Sequence, residues 1–265
     1  MLNKPSSSDL ANVELFVMDM DGTVYLGDEV FPWTLPFLES IKKSGRRYVF
    51  LTNNSSKGPK DYVRKLRKLG IPVDEDGVFT SGEATARFVK REYPGSKVYL
   101  IGTPELRMVF EEEGVKLVED DPDILVLGYD TTINYEKIRK GALFLRKGVV
   151  YIATHPDVNC PSPEGLVPDA GSFIAMFRES TSRSPDHIVG KPNPGILIEL
   201  SRKANVSIDR IAIIGDRLYT DVELARRAGA ISILVLSGET KPEDLKRSET
   251  IPDFVVENLG EIELQ

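Results

Sequence analysis

Short apolar stretches rich in β-branched residues recur along the chain and alternate with longer segments of helical spacing. The apolar stretches predict strands at residues 14–19, 47–52, 97–102, 124–129, 149–154, 210–216 and 231–238. The segments between them carry charged faces and predict helices at residues 60–69, 83–92, 104–113, 135–146, 193–204 and 221–228. This alternation is typical of an α/β fold with a mainly parallel sheet, in which ligands bind beyond the carboxyl ends of the strands.

Two groups of strands differ in the residues that follow them. Polar clusters follow three of the strands, at residues 19–23, 52–56 and 215–221, and they converge if those strands are neighbours in one sheet. The strands between residues 97 and 154 end instead in Gly-Thr-Pro, Gly-Tyr-Asp and Thr-His-Pro. We therefore expect a core domain of residues 1–82 and 185–265, with a second α/β domain, residues 83–184, inserted into it. A last strand, at 253–258, is expected at the edge of the core sheet.

Composition narrows the class of protein. The chain has 265 residues, of which 41% are hydrophobic, and its formal net charge is -7, which argues against a nucleic-acid partner. Its single cysteine, Cys160, excludes an intrachain disulfide and a cysteine metal cluster, as fits a reducing cytoplasm. The polar first twelve residues lack the apolar stretch of a secretory signal, and no run reaches membrane-spanning length. We expect a soluble cytoplasmic protein without a membrane partner.

The first polar cluster, Asp19-Met20-Asp21-Gly22-Thr23, places two carboxylates two positions apart at the end of a predicted buried strand. Asp19 would be a nucleophile, because a carboxylate can attack phosphorus and form an acyl phosphate that water then clears. Asp21, beyond the strand end, would protonate the leaving group and later activate the water. Gly22 lets the backbone turn sharply and approach a ligand. The alternative is an ordinary acidic turn, since Asp and Gly are common where strands end.

A metal site is predicted from the cluster at 215–221. Asp216, together with Asp19 and the backbone carbonyl of Asp21, offers an oxygen-only site that suits Mg2+. Asp221 would begin the next helix, where two roles stay open. It could support the metal ligands from a second shell, or it could only cap the helix.

The remaining clusters supply groups for holding a phosphate. Thr52 offers its hydroxyl, and Asn53 and Asn54 offer backbone amides, to the phosphate oxygens. Lys191, in Gly-Lys-Pro-Asn-Pro, would place its ammonium between Asp19 and the phosphate. Taken singly, the lysine could be a solvated surface residue and the threonine an ordinary strand-end hydroxyl. Their joint position at element ends of one α/β pattern favours a phosphoryl-transfer site.

These residues resemble the haloacid dehalogenase superfamily of aspartate-nucleophile phosphatases. Its four motifs are matched by 19–23, Thr52, Lys191 and 215–221. The longer strings Asp-Gly-Thr-Val-Tyr, Leu-Thr-Asn-Asn-Ser-Ser, Gly-Lys-Pro-Asn-Pro and Gly-Asp-Arg resemble the NagD-type, p-nitrophenylphosphatase subfamily (subfamily IIA). The resemblance implies a Rossmann-like core with an α/β cap of the C2 type between the second and third motifs, which here lie 139 positions apart (191 minus 52). It also implies Mg2+ dependence and hydrolysis of small phosphate monoesters.

Substrate choice is expected to come from the inserted domain. Residues 154–161 and 168–172 resemble the family's substrate-facing loop, and Asn159 matches a site where related enzymes place a substrate-contacting histidine. Asparagine cannot carry a positive charge, so this departure leaves the leaving-group preference open. Expected substrates are small phosphorylated metabolites such as sugar phosphates or nucleotide monophosphates, with p-nitrophenyl phosphate as a substrate in vitro. The family resemblance allows a homodimer.

Two other functions stay open at this point. A sugar phosphomutase would return the phosphoryl group of the aspartyl-phosphate to a sugar, which needs a cap that excludes water. A phosphate-binding module without hydrolysis would be expected to have lost an acid, the lysine or a metal carboxylate. All of these are present in this chain.

Overall fold

The computed structural model describes residues 3–162 and 164–264 of the chain. These residues form two compact units, which we call the core unit and the cap unit. The core unit consists of the residues up to Thr52, Tyr62–Phe79 and the residues from Pro192 onward, and the cap unit consists of Asn53–Asp61 and Thr80–Lys191. The described part of the predicted insertion, 83–184, lies within the cap unit, as do 53–61, 80–82 and 185–191.

The strands are numbered here in chain order. They are β1 Leu15–Met18, β2 Tyr25–Leu26, β3 Glu29–Val30, β4 Arg47–Thr52, β5 Val78–Thr80, β6 Lys97–Ile101, β7 Lys116–Leu117, β8 Ile124–Leu127, β9 Val150–Ala153, β10 Asn159–Ser162, β11 Gly165–Pro168, β12 His187–Ile188, β13 Ile211–Gly215, β14 Ile231–Val235 and β15 Phe254–Val256.

The helices are α1 Thr34–Lys43, α2 Pro59–Lys68, α3 Ser81–Glu92, α4 Pro104–Glu112, α5 Tyr135–Arg146, α6 Ala170–Thr181, α7 Gly195–Ala204, α8 Glu223–Ala228 and α9 Pro242–Leu245. A π-helical turn, Leu218–Val222, precedes α8, and 3-10 turns lie at Ile208–Arg210 and Leu259–Glu261. In the described part of the chain, no helix combines the length and apolarity needed to cross a membrane.

The sheet of the core unit has the strand order β15-β14-β13-β1-β4-β5. Its central strand, β1, is buried at all positions and pairs in parallel with β13 and β4, so that Met18 lies opposite Ile214 and Phe50. Parallel neighbours end at the same edge of a sheet. Asp19, Thr52 and Asp216, which end or directly follow these strands, therefore share one edge of the core sheet, and β15 lies at the expected outer position.

The cap unit contains a second parallel sheet, with the order β12-β9-β8-β6-β7, and a separate antiparallel hairpin formed by β10 and β11. Its core includes Tyr99, Phe144, Tyr151 and Phe177, of which Tyr151 and Phe177 meet edge to face at a centroid distance of 6.5 Å. The predicted mixed α/β fold with mainly parallel sheets is thus confirmed in both units.

Several elements of the structure were not predicted. They include the strands β2, β3, β5, β7 and β12, the hairpin β10–β11 and helix α9. Helix α1 was not predicted, nor was α6. The strand predicted at 231–238 ends at Val235, because the chain leaves the sheet there and forms the loop described below.

Candidate active site

Two carboxylates follow neighbouring strands at the carboxyl edge of the core sheet. The backbone N–H of Asp19 continues the ladder of β1 by donating to the carbonyl of Ile214 at 2.8 Å. Asp216 directly follows β13 and is buried. Carboxylate oxygens of Asp19, Asp216 and Asp221 all lie within 4.8 Å of one another. Such a cluster of hard oxygen donors fits Mg2+, which takes few carboxylates and keeps several waters.

Asp221 reaches this cluster by a different route from the one predicted. It does not begin a helix: it lies in the π-helical turn before α8, and the N-cap position of α8 is held by Val222. The buried carboxylate accepts hydrogen bonds from the Arg217 N–H and the Thr220 hydroxyl, both at 3.3 Å. A Cβ at Gly215 would clash with it. The wide π turn thus brings the Asp221 carboxylate close to the end of β13.

The loop after β1 places Gly22 against Asp216. Gly22 has a φ of +82°, and a Cβ on it would lie 2.5 Å from Asp216 Oδ2, so both backbone angle and space require glycine. The neighbouring Thr23 hydroxyl is buried and, among the described residues, has no hydrogen-bond partner.

Asp21 differs from the other carboxylates in its surroundings. Its side chain is exposed at the edge of the site. Partial desolvation nevertheless raises its pKa above the ordinary value, against the opposing effects of Lys65, Arg217 and the Gly27 backbone N–H. A raised pKa favours a carboxyl group that can hold and release a proton. The predicted use of the Asp21 carbonyl as a metal ligand stays a prediction.

A loop that the sequence did not point to, Ser237–Thr240, holds Asp216 in place. The backbone N–H of Glu239 donates to Asp216 Oδ2 at 2.7 Å, and that of Thr240 donates to the Asp216 carbonyl at 3.2 Å. The Ser237 hydroxyl donates to the Gly22 carbonyl at 2.7 Å. A Cβ on Gly238 would overlap the Asp216 carboxylate. The loop after β14 is therefore a fourth element of the site.

Arg217 places a guanidinium beside these carboxylates. It forms an ion pair with Glu239 at 2.9 Å, and Glu239 also accepts a hydrogen bond from the Tyr219 hydroxyl at 2.6 Å. Desolvation lowers the pKa of Arg217, but the nearby Asp19, Glu239 and Asp216 outweigh it and leave the pKa raised. Arg217 thus stays charged and partly offsets the negative charge of the cluster.

In the core unit, Thr52 is the last residue of β4. In the cap unit, Lys191 is buried, and its backbone is held by the side chain of Asn53. Asn53 Oδ1 accepts the Lys191 N–H at 2.8 Å, and its Nδ2 donates to the Lys191 carbonyl at 2.9 Å and to Asp157 Oδ2 at 3.1 Å. Asn54 instead uses Oδ1 to accept from the N–H and hydroxyl of Ser56.

The hairpin of the cap unit carries the remaining predicted residue. Asn159 is exposed in the first position of β10, opposite Pro168. A buried pair flanks the hairpin, with His155 before it and Asp169 after it. The His155 ring is bonded to the Thr154 hydroxyl and to Asp169 Oδ1, both at 2.9 Å. Asp169 is the N-cap of α6. This pair therefore ties together the two ends of the hairpin segment.

Two sequence models of known families match the chain. The one described as haloacid dehalogenase-like hydrolase matches residues 16–116, and the one described as HAD-hydrolase-like matches residues 188–262. These ranges include all four predicted motifs.

Three proteins illustrate what the chain is similar to. It is 34% identical to the 5'-nucleotidase YutF of Bacillus subtilis, covering 93% of this chain and 96% of the relative. Its fold matches 4-nitrophenylphosphatase from Thermotoga maritima with a TM-score of 0.91 and 55% identity, covering 95% of this chain and 97% of that one. It also matches glycerol phosphate phosphatase from Mycobacterium tuberculosis, solved in complex with magnesium, with a TM-score of 0.88 and 28% identity over 99% of this chain and 79% of that one.

Proposed function

The chain belongs to the haloacid dehalogenase-like hydrolase family, and from that premise we propose that it is a Mg2+-dependent phosphatase of small phosphate monoesters. The predicted resemblance to the NagD-type, p-nitrophenylphosphatase branch is confirmed by the solved structures that the chain matches. Similar proteins are named as phosphatases of different phosphate monoesters, which supports the reaction class for this chain.

The observation that carries this proposal is the convergence of Asp19, Asp216 and Asp221, whose carboxylate oxygens lie within 4.8 Å of one another. Asp19 and Asp216 are the predicted ligands of Mg2+, with the carbonyl of Asp21 as the third. The position of Asp221 suits either direct or water-mediated contact. When bound, the cation would neutralise negative charge on the nucleophile and the phosphate. The Glu239 N–H that holds Asp216 would fix the orientation of one ligand.

Asp19 is the proposed nucleophile. One of its carboxylate oxygens forms a bond to phosphorus while the bond from phosphorus to the leaving oxygen breaks, which gives an aspartyl-phosphate. Asp21 donates its proton to the leaving oxygen, and the raised pKa of Asp21 agrees with that role. Asp21 then takes a proton from a water molecule, which attacks phosphorus and releases phosphate and free Asp19.

The phosphate oxygens need donors and positive charge during this transfer. We assign the hydroxyl of Thr52 and the backbone amides of Asn53 and Asn54 as the donors to the phosphate oxygens. Gly22 would allow the phosphate to approach the backbone closely. Lys191 supplies the ammonium. Its backbone N–H donates to the Asn53 side chain and its carbonyl accepts from that side chain, which supports a defined position for Lys191 in the cap unit.

The leaving group is proposed to meet the cap hairpin, with Asn159 as a candidate contact. An exposed asparagine offers both a donor and an acceptor without charge, which suits hydroxyl-rich or heterocyclic leaving groups. We propose sugar phosphates or nucleotide monophosphates as the substrate class and a small phosphorylated metabolite as the partner. A cytoplasmic location and a homodimer stay predictions.

The test is an assay of the Asp19→Asn variant with p-nitrophenyl phosphate and Mg2+. We expect turnover to fall by about a thousandfold or more, because the amide cannot form the acyl phosphate. The matched control is Asp28→Asn, which removes an exposed carboxylate from the turn between β2 and β3. Substantial turnover in Asp19→Asn would contradict the nucleophile, whereas isomerised sugar phosphate with little free phosphate in the wild type would favour a phosphomutase.

A further inference from the structure

A cavity of about 440 Å³ opens in the core unit at the amino edge of its sheet. It is lined by Leu15 and Arg47, the first residues of β1 and β4. The carboxylates of the candidate active site follow the other ends of these strands. Along β4 the two edges are separated by about 16 Å, since a strand rises about 3.3 Å per residue. The cavity is thus distinct from the active site, and its volume suits a small molecule.

The lining of this cavity is electropositive. Among its described residues are four cationic side chains and two carboxylates: Lys42, Arg46, Arg47 and Lys203, with Asp74 and Asp76. Both aspartates are exposed, and the side chain of Asp76, which lies 3.5 Å from Lys203, is 91% exposed. Water screens such exposed charges strongly. The four cationic side chains outnumber the two carboxylates, so the lining carries a net positive charge.

Arg46 adds a more specific feature. Its Nη1 atom is buried and, among the described residues, has no hydrogen-bond acceptor. A guanidinium offers five N–H donors in a planar fork, and a buried donor without an acceptor destabilises the folded protein. Because Nη1 has no contact with solvent, an anion in the cavity would satisfy this donor after a shift of the Arg46 side chain.

The ends of helices explain the presence of only some of the cationic residues that line the cavity. Helices α1 and α7 both end beside the cavity, and the carbonyls at helix C-termini attract cations. Arg47 is held in this way at the end of α7, because both of its terminal nitrogens donate to the Ala204 carbonyl at 3.2 Å. Lys42 lies instead over the ring of Tyr48, with its ammonium 5.6 Å from the centroid. The buried Nη1 of Arg46 is left without such an explanation.

We propose that this cavity, which we call the amino-edge site, binds the phosphate or diphosphate group of a small molecule. The fork of Arg46 would take two phosphate oxygens, as guanidinium groups commonly do, and Lys42 would add a flexible charge at the opening. Leu15, Val49 and Leu200 form an apolar wall on which the rest of the ligand can pack. The site is independent of hydrolysis and requires no metal.

The probe for this site is inorganic pyrophosphate, titrated into ¹⁵N-labelled protein without Mg2+ and with EDTA present. We expect saturable shifts of the backbone amides of Gly77 and Ala204 and of the Arg46 side-chain N–H. In Arg46→Gln, the dissociation constant read from these amides should rise about tenfold, the equivalent of one charge-assisted hydrogen bond. Lys42→Gln, which changes an exposed residue, should weaken binding in the same direction.

Lys43→Gln is the matched control, because it removes the same charge from the end of α1 at an exposed residue outside the cavity. It should leave the dissociation constant unchanged. Equal weakening by Arg46→Gln and Lys43→Gln would overturn the proposal, as would shifts confined to Gly22 and Asn53 or no saturable shift at all. Because neither turnover nor metal enters the measurement, its failure would leave the proposed phosphatase function untouched.

Discussion

The side chain of Asn53 holds the backbone of Lys191 from both sides, accepting its N–H at 2.8 Å and donating to its carbonyl at 2.9 Å. The two residues are 138 positions apart. This contact fixes the main chain of the proposed phosphate-binding lysine through the residue that follows Thr52. Gly190 allows it, because a Cβ there would lie 2.7 Å from Asn53 Oδ1.

Replacing Asn53 by aspartate should therefore impair catalysis. The carboxylate keeps the acceptor for the Lys191 N–H but loses the donor to its carbonyl, and it faces the carboxylate of Asp157. We expect kcat/KM for p-nitrophenyl phosphate to fall by at least about tenfold, since a buried acceptor left unpaired costs about 1–3 kcal/mol.

Asn54→Asp is the matched control for that variant. It adds the same charge one residue later but keeps the two bonds that Asn54 Oδ1 accepts from Ser56. Its loss of kcat/KM should be clearly smaller. Equal losses would indicate that negative charge near the phosphate, rather than the hold on Lys191, is responsible.

Gly238→Ala should weaken the metal site. The new Cβ would overlap the Asp216 carboxylate, so the loop or the carboxylate must move. We expect the Mg2+ concentration for half-maximal activity to rise by about tenfold, as is typical when a partner of a metal ligand is disturbed. Gly229→Ala, which forces alanine to a φ of +80° with open space around it, is a control for stability. A similar rise in that variant would refute the explanation.

Glu223 should stabilise the core unit in a pH-dependent manner. Hydrogen bonds from Arg226, together with those from Arg227 and Thr250, lower the pKa of Glu223 from 4.5 to about 2. Because the folded-state pKa is the lower one, this stabilisation is complete above about pH 4.5 and is lost as the pH falls toward 2.

The measurement is urea unfolding of wild type and Glu223→Gln across this pH range. The wild type should be the more stable at neutral pH, and the difference should shrink as the solution is acidified. Glu39→Gln, which breaks an exposed pair with Lys43, should change the midpoint little at any pH. A difference that grows on acidification would contradict the sign of the effect.

The buried pair of His155 and Asp169 should stabilise the cap unit. His155→Ala removes the ring hydrogen bonds with Thr154, Asp169 and Ser81 and leaves a cavity, so we expect the free energy of unfolding to fall by about 2–4 kcal/mol. His187→Ala is the control, because that exposed histidine also makes one hydrogen bond, with the Tyr93 hydroxyl at 2.9 Å. Its cost should be about 1 kcal/mol or less. Comparable costs would show that burial of the pair is unimportant.

The sequence alone predicted those elements whose own residues show a clear pattern of apolar and polar positions. The apolar run 14–19 predicted β1 because a central strand is buried on both faces, and the polar residues after it marked the edge where Asp19 and Asp216 meet. Helix α1, which contains Pro36, was not predicted. The proline lies in the first turn, where its missing N–H has no partner in the helix.

The role of Gly238 and Glu239 could not be predicted in the same way. Glu239 holds Asp216 through its backbone N–H, which every residue except proline possesses, so side-chain identity carries no signal for this contact. Gly238 itself was the available indication. It comes after β14, which pairs with β13, at the edge of the sheet where Asp19 and Asp216 lie. Likewise, the four basic residues of the amino-edge site are dispersed from 42 to 203 and form no motif.

The ladder bond from the Asp19 N–H to Ile214 has a consequence for the motions of the protein. Since β1 is flanked by β4 and β13, deuterium can replace this amide proton only when the middle of the core sheet opens. Amides of the exposed hairpin β10–β11 need only a local opening. The amide of Asp19, the residue proposed to react with phosphorus, should therefore exchange orders of magnitude more slowly than the amides of the hairpin, which is proposed to meet the leaving group.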